Sequence, residues 1–68
     1  MTVQPFQQIV IDEKHELDDK LSKLTAFFDS PVFAHLPQDE VHRMRKQADI
    51  MRLYSRILGE RISAFNGV

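Results

Sequence analysis

Sixty-eight residues without a cysteine make one domain at most, and they exclude both a disulfide and a thiolate zinc site. A formal net charge of −1 excludes a global field that would gather nucleic acid. A chain this short buries only roughly 60% of its unfolded surface, so a partner is expected, most simply a second copy of itself.

The charge is unevenly divided. Residues 1–36 carry six acids and three lysines, and residues 37–68 carry five arginines, one lysine and four acids. An acidic first half can therefore lie against a basic second half. The N-terminus lacks the basic start and apolar core of a signal peptide, and no apolar run approaches the ~18 residues of a membrane span. These features, with the absence of cysteine, place the expected location in a reducing cytoplasm, with no membrane partner.

The first predicted helix runs over about residues 5–29, Pro5 to Asp29, because its apolar residues keep the helical period. Its stripe is Phe6, Val10, Leu17, Leu21, Leu24 and Phe28, with Lys14 filling the gap between Val10 and Leu17. Proline suits a first helical turn, and Pro5, Pro31 and Pro37 all stand where helices can start. Ser30-Pro31 reads as an N-cap with a first-turn proline, so about residues 31–36 are expected to make one helical turn. Val32, Phe33 and Leu36 are expected to point inward from it.

A second long helix is expected over about residues 38–65, with Asp39 and Glu40 favourably placed against the helix dipole. Val41, Met44, Ala48, Met51, Ser55, Leu58, Ile62 and Phe65 alternate steps of three and four. Every position of that coiled-coil-like seam except Ser55 is apolar. The short connection makes the two long helices antiparallel neighbours. The fold class expected is all-α: one domain over 1–68, an antiparallel two-helix hairpin with a short helical turn between the helices.

Ile50, Leu53, Tyr54 and Ile57 form a second apolar row beside that seam. One partner helix covers one stripe. The second row is expected to form the oligomer interface of a homo-oligomeric helical bundle. The alternative is that the short turn folds back and covers it.

No catalytic residue is nominated, and neither a cofactor nor a metal is expected. There is no Gly-rich phosphate loop, and His15, His35 and His42 lack metal-ligand spacing. Asp12, Glu13, Glu16, Asp18 and Asp19 read as a solvated helix face rather than a facing carboxylate pair. The basic residues carry more information. Arg45, Arg52 and Arg56 fall within about 40° on one edge of the second helix. Arginine forks bind phosphate bidentately, and Gly59 permits close approach. Arg45, Arg52, Ser55, Arg56 and Gly59 are therefore the candidate anion niche, with Ser63 continuing its edge. The competing reading pairs these arginines with Asp12, Glu13, Glu16 or Asp19 across the hairpin. Lys14 either specifies register or presents a charge to a bound anion. Tyr54 either packs at an interface or stacks on a base across it.

The stretches VIDEKHELDDKLSKLTAFFDSPVFAHL and RMRKQADIMRLYSRILGERISAF resemble a family of small bacteriophage and prophage proteins. The resemblance lies in the acidic-lysine first helix, the Phe33-x-x-Leu36 turn, the step from Gln47 to Ser55 and the closing Glu-Arg-Ile. A looser resemblance, of architecture only, is to the phage anti-CBASS cyclic-nucleotide sponges and the hairpin part of anti-Thoeris sponges. It implies a homo-oligomer that traps a host immune signal between subunits without cleaving it. Those sponges use a tyrosine near the N-terminus and a lysine along the first helix. Here Phe6 stands near the N-terminus, and Lys14, Lys20 and Lys23 are generic candidates. No pocket is carried over.

Three functions follow in order. The first is a phage-encoded, non-catalytic anti-defence sponge for a cyclic-nucleotide-type anion. The second is a module binding a host or phage protein through an exposed helix face. The third is a helical nucleic-acid-binding dimer. The third is the weakest, because Asp49 and Glu60 dilute the basic residues.

Overall fold

The computed structural model describes residues 3–65. It is built from α1 (Pro5–Phe27), α2 (Pro31–Ala34) and α3 (Gln38–Ala64), with no strand among the described residues. The two long helices pack against each other in a rod of 50 × 15 × 14 Å. They run antiparallel, since Phe6 meets Phe65 at one end and Phe28 lies near Arg45 at the other.

Local chemistry sets the ends. The Gln4 backbone N–H donates to Gln7 Oε1 at 2.9 Å, which satisfies one of the groups that a helix start leaves unpaired. Ser30 Oγ accepts from the Phe33 N–H at 3.2 Å, and Pro31 occupies the first turn of α2. Pro37, with φ −57° and ψ 146°, stands immediately before α3. Its carbonyl accepts from Glu40 and Val41. A proline donates nothing there and is pre-set for the following turn.

The core is thin. Val10, Phe33, Ala48 and Leu58 are its buried apolar residues, and among the described residues Leu58 is the one large side chain that is fully buried. All eight positions of the α3 seam are buried or half-buried. Ala48, with no accessible surface, lets the two backbones approach. At the turn, Phe33 packs against Phe27 and Phe28 with ring centroids 5.9 and 4.8 Å apart. The Arg45 guanidinium carbon sits 5.5 Å from the Phe28 ring centre and 5.3 Å from that of Phe33, a cation–π arrangement.

Two expectations are corrected here. Val32 does not point inward; it is 60% exposed, because a single turn has room to bury one large side chain and Phe33 takes that place. Nor does α2 cover the second apolar row. Its buried ring is engaged with Phe27 and Phe28, and Ile50, Leu53 and Ile57 remain 67%, 49% and 45% exposed.

With so small a core, one truncation is felt strongly. Leu58→Ala is expected to cost about 2–5 kcal/mol, read as a fall in the urea midpoint. Val32→Ala, at an exposed position, is expected to leave that midpoint within about 0.5 kcal/mol of the parent.

Candidate binding site

The seam between α1 and α3 carries one polar interruption from each helix, and the fold brings them together. Lys14 Nζ donates to Asp18 Oδ2 at 2.6 Å and to Ser55 Oγ at 3.0 Å. Ser55 Oγ in turn donates to Asp18 Oδ1. Lys14 and Asp18 are one turn apart on α1, so both reach the same height on α3. Ser55 is buried, and its hydroxyl uses both its donor and an acceptor site. No buried side-chain polar atom among the described residues lacks a partner.

Gly59 lies one turn beyond Ser55. A Cβ at that position would stand 3.3 Å from Lys14 Cε, so the glycine leaves room for the lysine stem to cross α3. Beside it opens a cleft of about 410 Å³ lined by Ile11, Lys14, His15, Asp18, Gly59 and Ile62. Its floor is aliphatic, and its charges are those of the Lys14–Asp18 pair. The Asp18 carboxyl is held below its ordinary range, first by the hydrogen bond from Lys14 and then by that from Ser55, against a smaller opposing effect of burial.

Five of the nominated residues thus fall into two groups, and Arg45 and Tyr54 stand apart from both. Lys14, Ser55 and Gly59 surround the seam and its cleft. Arg52 and Arg56 line a separate groove of about 370 Å³ with Asp49 and Leu53. Arg45 is turned onto the aromatic cluster at the hairpin end. Gly59, Arg52 and Arg56 lie within about 60° of each other around the helix axis, so cleft and groove adjoin the same edge.

The arginines do not pair with α1 across the hairpin. Arg52 Nη1 meets Asp49 Oδ1 at 2.9 Å, and Arg56 Nε stands 3.9 Å from Glu60 Oε2. Both contacts lie within α3. Such exposed pairs contribute little and exchange readily for another anion. Nor is the carboxylate run of α1 wholly solvated, since Asp18 enters the seam and Glu13 accepts from the Tyr54 hydroxyl. Tyr54 is therefore engaged on the opposite edge of α3 from Arg52. That hydrogen bond, more than burial, pushes the Tyr54 hydroxyl above its ordinary range.

Sequence reasoning did not single out Asp18, His15 or Ile11 as site residues. The signal was present. Each apolar stripe has one polar break, Lys14 in the first and Ser55 in the second, and an antiparallel hairpin sets them at matching heights.

Among the described residues, no group of three His, Cys, Asp or Glu side chains stands ready to hold a metal, and no helix is long and apolar enough to cross a membrane. What the fold presents is a helical hairpin with a polar seam, a cleft and an exposed basic edge, which is the equipment of a small binding protein. The model of the Sequestin family matches residues 4–64, nearly the whole chain, and the chain belongs to that family. The family name denotes a protein that binds and sequesters rather than one that catalyses. Neither the curated proteins nor the solved structures include a match.

The Asp18 shift has a sign that can be tested. Its folded pKa lies below the ordinary 3.8, so its stabilising effect is complete above that value and is lost as pH falls through the folded pKa. The urea midpoint is expected to drop as pH falls below about 3.8, and Asp18→Asn is expected to flatten that part of the profile. Tyr54 is the sole tyrosine, and there is no tryptophan, so the near-ultraviolet change on phenol ionisation follows it alone. Its alkaline titration is expected above 10.0 in the folded chain and to move back down in Glu13→Gln.

Proposed function

We propose that this chain is a phage-encoded, non-catalytic sequestering protein. It holds a nucleotide-type anionic immune signal between the subunits of a homo-oligomer in the host cytoplasm. The observation that carries this reading is membership of the Sequestin family over residues 4–64. Two features of the fold support it. Arg52 and Arg56 are exposed and held only by neighbours on their own helix, so their forks are available to phosphate. The row Ile50, Leu53, Tyr54 and Ile57 is bare, and a second subunit is its natural cover. In this reading Arg52 and Arg56 supply the donors, while Arg45 stays on the aromatic cluster. Lys14, Ser55 and Gly59 line the adjoining cleft, and Tyr54 belongs to the subunit contact.

The same bare row favours a second reading, in which the chain binds a host or phage protein through the back of α3. The two readings differ in what saturates that surface.

Native mass spectrometry of the purified chain against cyclic dinucleotides, cyclic trinucleotides and cyclic ADP-ribose isomers separates them. A discrete oligomer that gains ligand mass, and releases the ligand intact on denaturation, is the expected result. Arg52→Ala or Arg56→Ala is expected to weaken that binding about 10- to 100-fold, the worth of one or two hydrogen bonds to a charged group. Equal binding by both variants would remove the arginine edge from the site. An oligomer indifferent to the whole panel would favour the protein partner.

A further inference from the structure

The back of α3 has a pattern of its own. Lys46, Ile50, Leu53, Ile57, Glu60 and Ala64 follow one another in steps of four and three. That makes a second seam on the side of the helix roughly opposite α1. Lys46, Ile50, Leu53, Ile57 and Glu60 are all exposed in the single chain. The middle of this seam reads nearly the same in both directions, with Leu53 between two isoleucines. Its flanks do not, since Lys46 precedes the apolar core and Glu60 follows it.

That asymmetry selects an orientation. In an antiparallel pair about Leu53, Ile50 of one copy lies opposite Ile57 of the other, and Leu53 opposite Leu53. Lys46 then meets Glu60 of the second copy, once at each end. In a parallel pair Lys46 would face Lys46 and Glu60 would face Glu60, which is repulsive at both ends. A two-fold axis perpendicular to the antiparallel helices also carries each flank onto the same flank of the partner copy. The edge bearing Arg52 and Arg56 therefore recurs on one face, with Asp49 of one copy opposite Arg56 of the other.

We infer that two copies of this chain pair antiparallel through the back of α3, and that Arg52 and Arg56 of both copies form one cationic cradle for an anion carrying two phosphoryl groups. The pairing stands on the seam alone. The cradle rests on the sequestering function proposed above and deepens it: the single chain holds only half of the site. Arginine forks from both sides suit two phosphoryl groups related by the axis.

The chain has no cysteine, so introduced thiols report the pairing without background. Ile50→Cys and Ile57→Cys chains are oxidised separately and as a mixture, with Leu53→Cys alongside. Circular dichroism checks that helicity is unchanged. Expected is a disulfide-linked dimer from Leu53→Cys alone, and from the mixture of Ile50→Cys with Ile57→Cys, with little from either of those alone. Cross-linking of Ile50→Cys by itself as readily as in the mixture would overturn the antiparallel pairing, and so would a monomer in sedimentation. If such a chain still bound a cyclic nucleotide, sequestration would stand while this geometry fell. Inorganic pyrophosphate then probes the cradle on the Leu53→Cys dimer. Expected is one anion per two chains, with binding at least tenfold weaker when Arg52→Ala is added. One anion per chain, no binding, or indifference to Arg52→Ala would overturn the cradle.

Discussion

The contact among Lys14, Asp18 and Ser55 fixes how the two long helices face each other. An apolar seam tolerates sliding, because one aliphatic side chain replaces another at modest cost. The buried Ser55 hydroxyl resists sliding, because a shift by one turn would leave it without Lys14 and Asp18, whereas Lys14 would keep Asp18 on its own helix. Lys14 reaches Ser55 in one register of the hairpin, and the glycine at position 59 leaves its stem the space to do so. That register sets Phe6 against Phe65 and Phe28 near Arg45. It also determines which edge of α3 faces outward with its arginines. Polar residues in a helical seam are best attested in this specifying role.

The seam of α3 was legible in the sequence because its eight positions keep the helical period and the prolines lie outside it. The boundary at Ser30-Pro31 was legible for a chemical reason: a serine that caps and a proline that cannot donate. What the sequence alone did not resolve was the choice of partner for each charge. Arg52 lies as near to acids on its own helix as to those expected on α1, and only the register decides. In the fold Arg52 and Arg56 take Asp49 and Glu60, while Lys14 and Tyr54 make the crossings to the other helix. The inward aim given to Val32 failed because helical period says little over a single turn. The candidate residues fell into two groups for a different reason. Ser55 belongs to the α1–α3 interface, whereas Arg52 and Arg56 stand around the helix from it.

The small size of the core links these features to function. One large, fully buried side chain and a few smaller neighbours give a hairpin whose own interior is meagre, while a comparable apolar row lies exposed on the opposite side of α3. For a sequestering protein this division has a use. In the pairing proposed above, a second subunit would complete the interior and bring the basic edges to a joint, where arginines from two chains could close on a ligand. A larger self-sufficient core would stabilise the single chain and leave the arginines scattered on its surface.

The aromatic cluster beside the turn has a kinetic consequence. Joining Phe28 and Phe33 to Arg45 closes a much shorter loop than joining Phe6 to Phe65, at about 1 kcal/mol less chain entropy. The hairpin is therefore built to zip from its closed end, with the rings and the guanidinium as the first long-range contact. By the same comparison of loop lengths, the Phe6–Phe65 end is the costlier of the two to close first. That end, where a 61% exposed Phe6 meets Phe65 near both chain termini, is also the end expected to fray, at a distance from the arginines in the middle of α3.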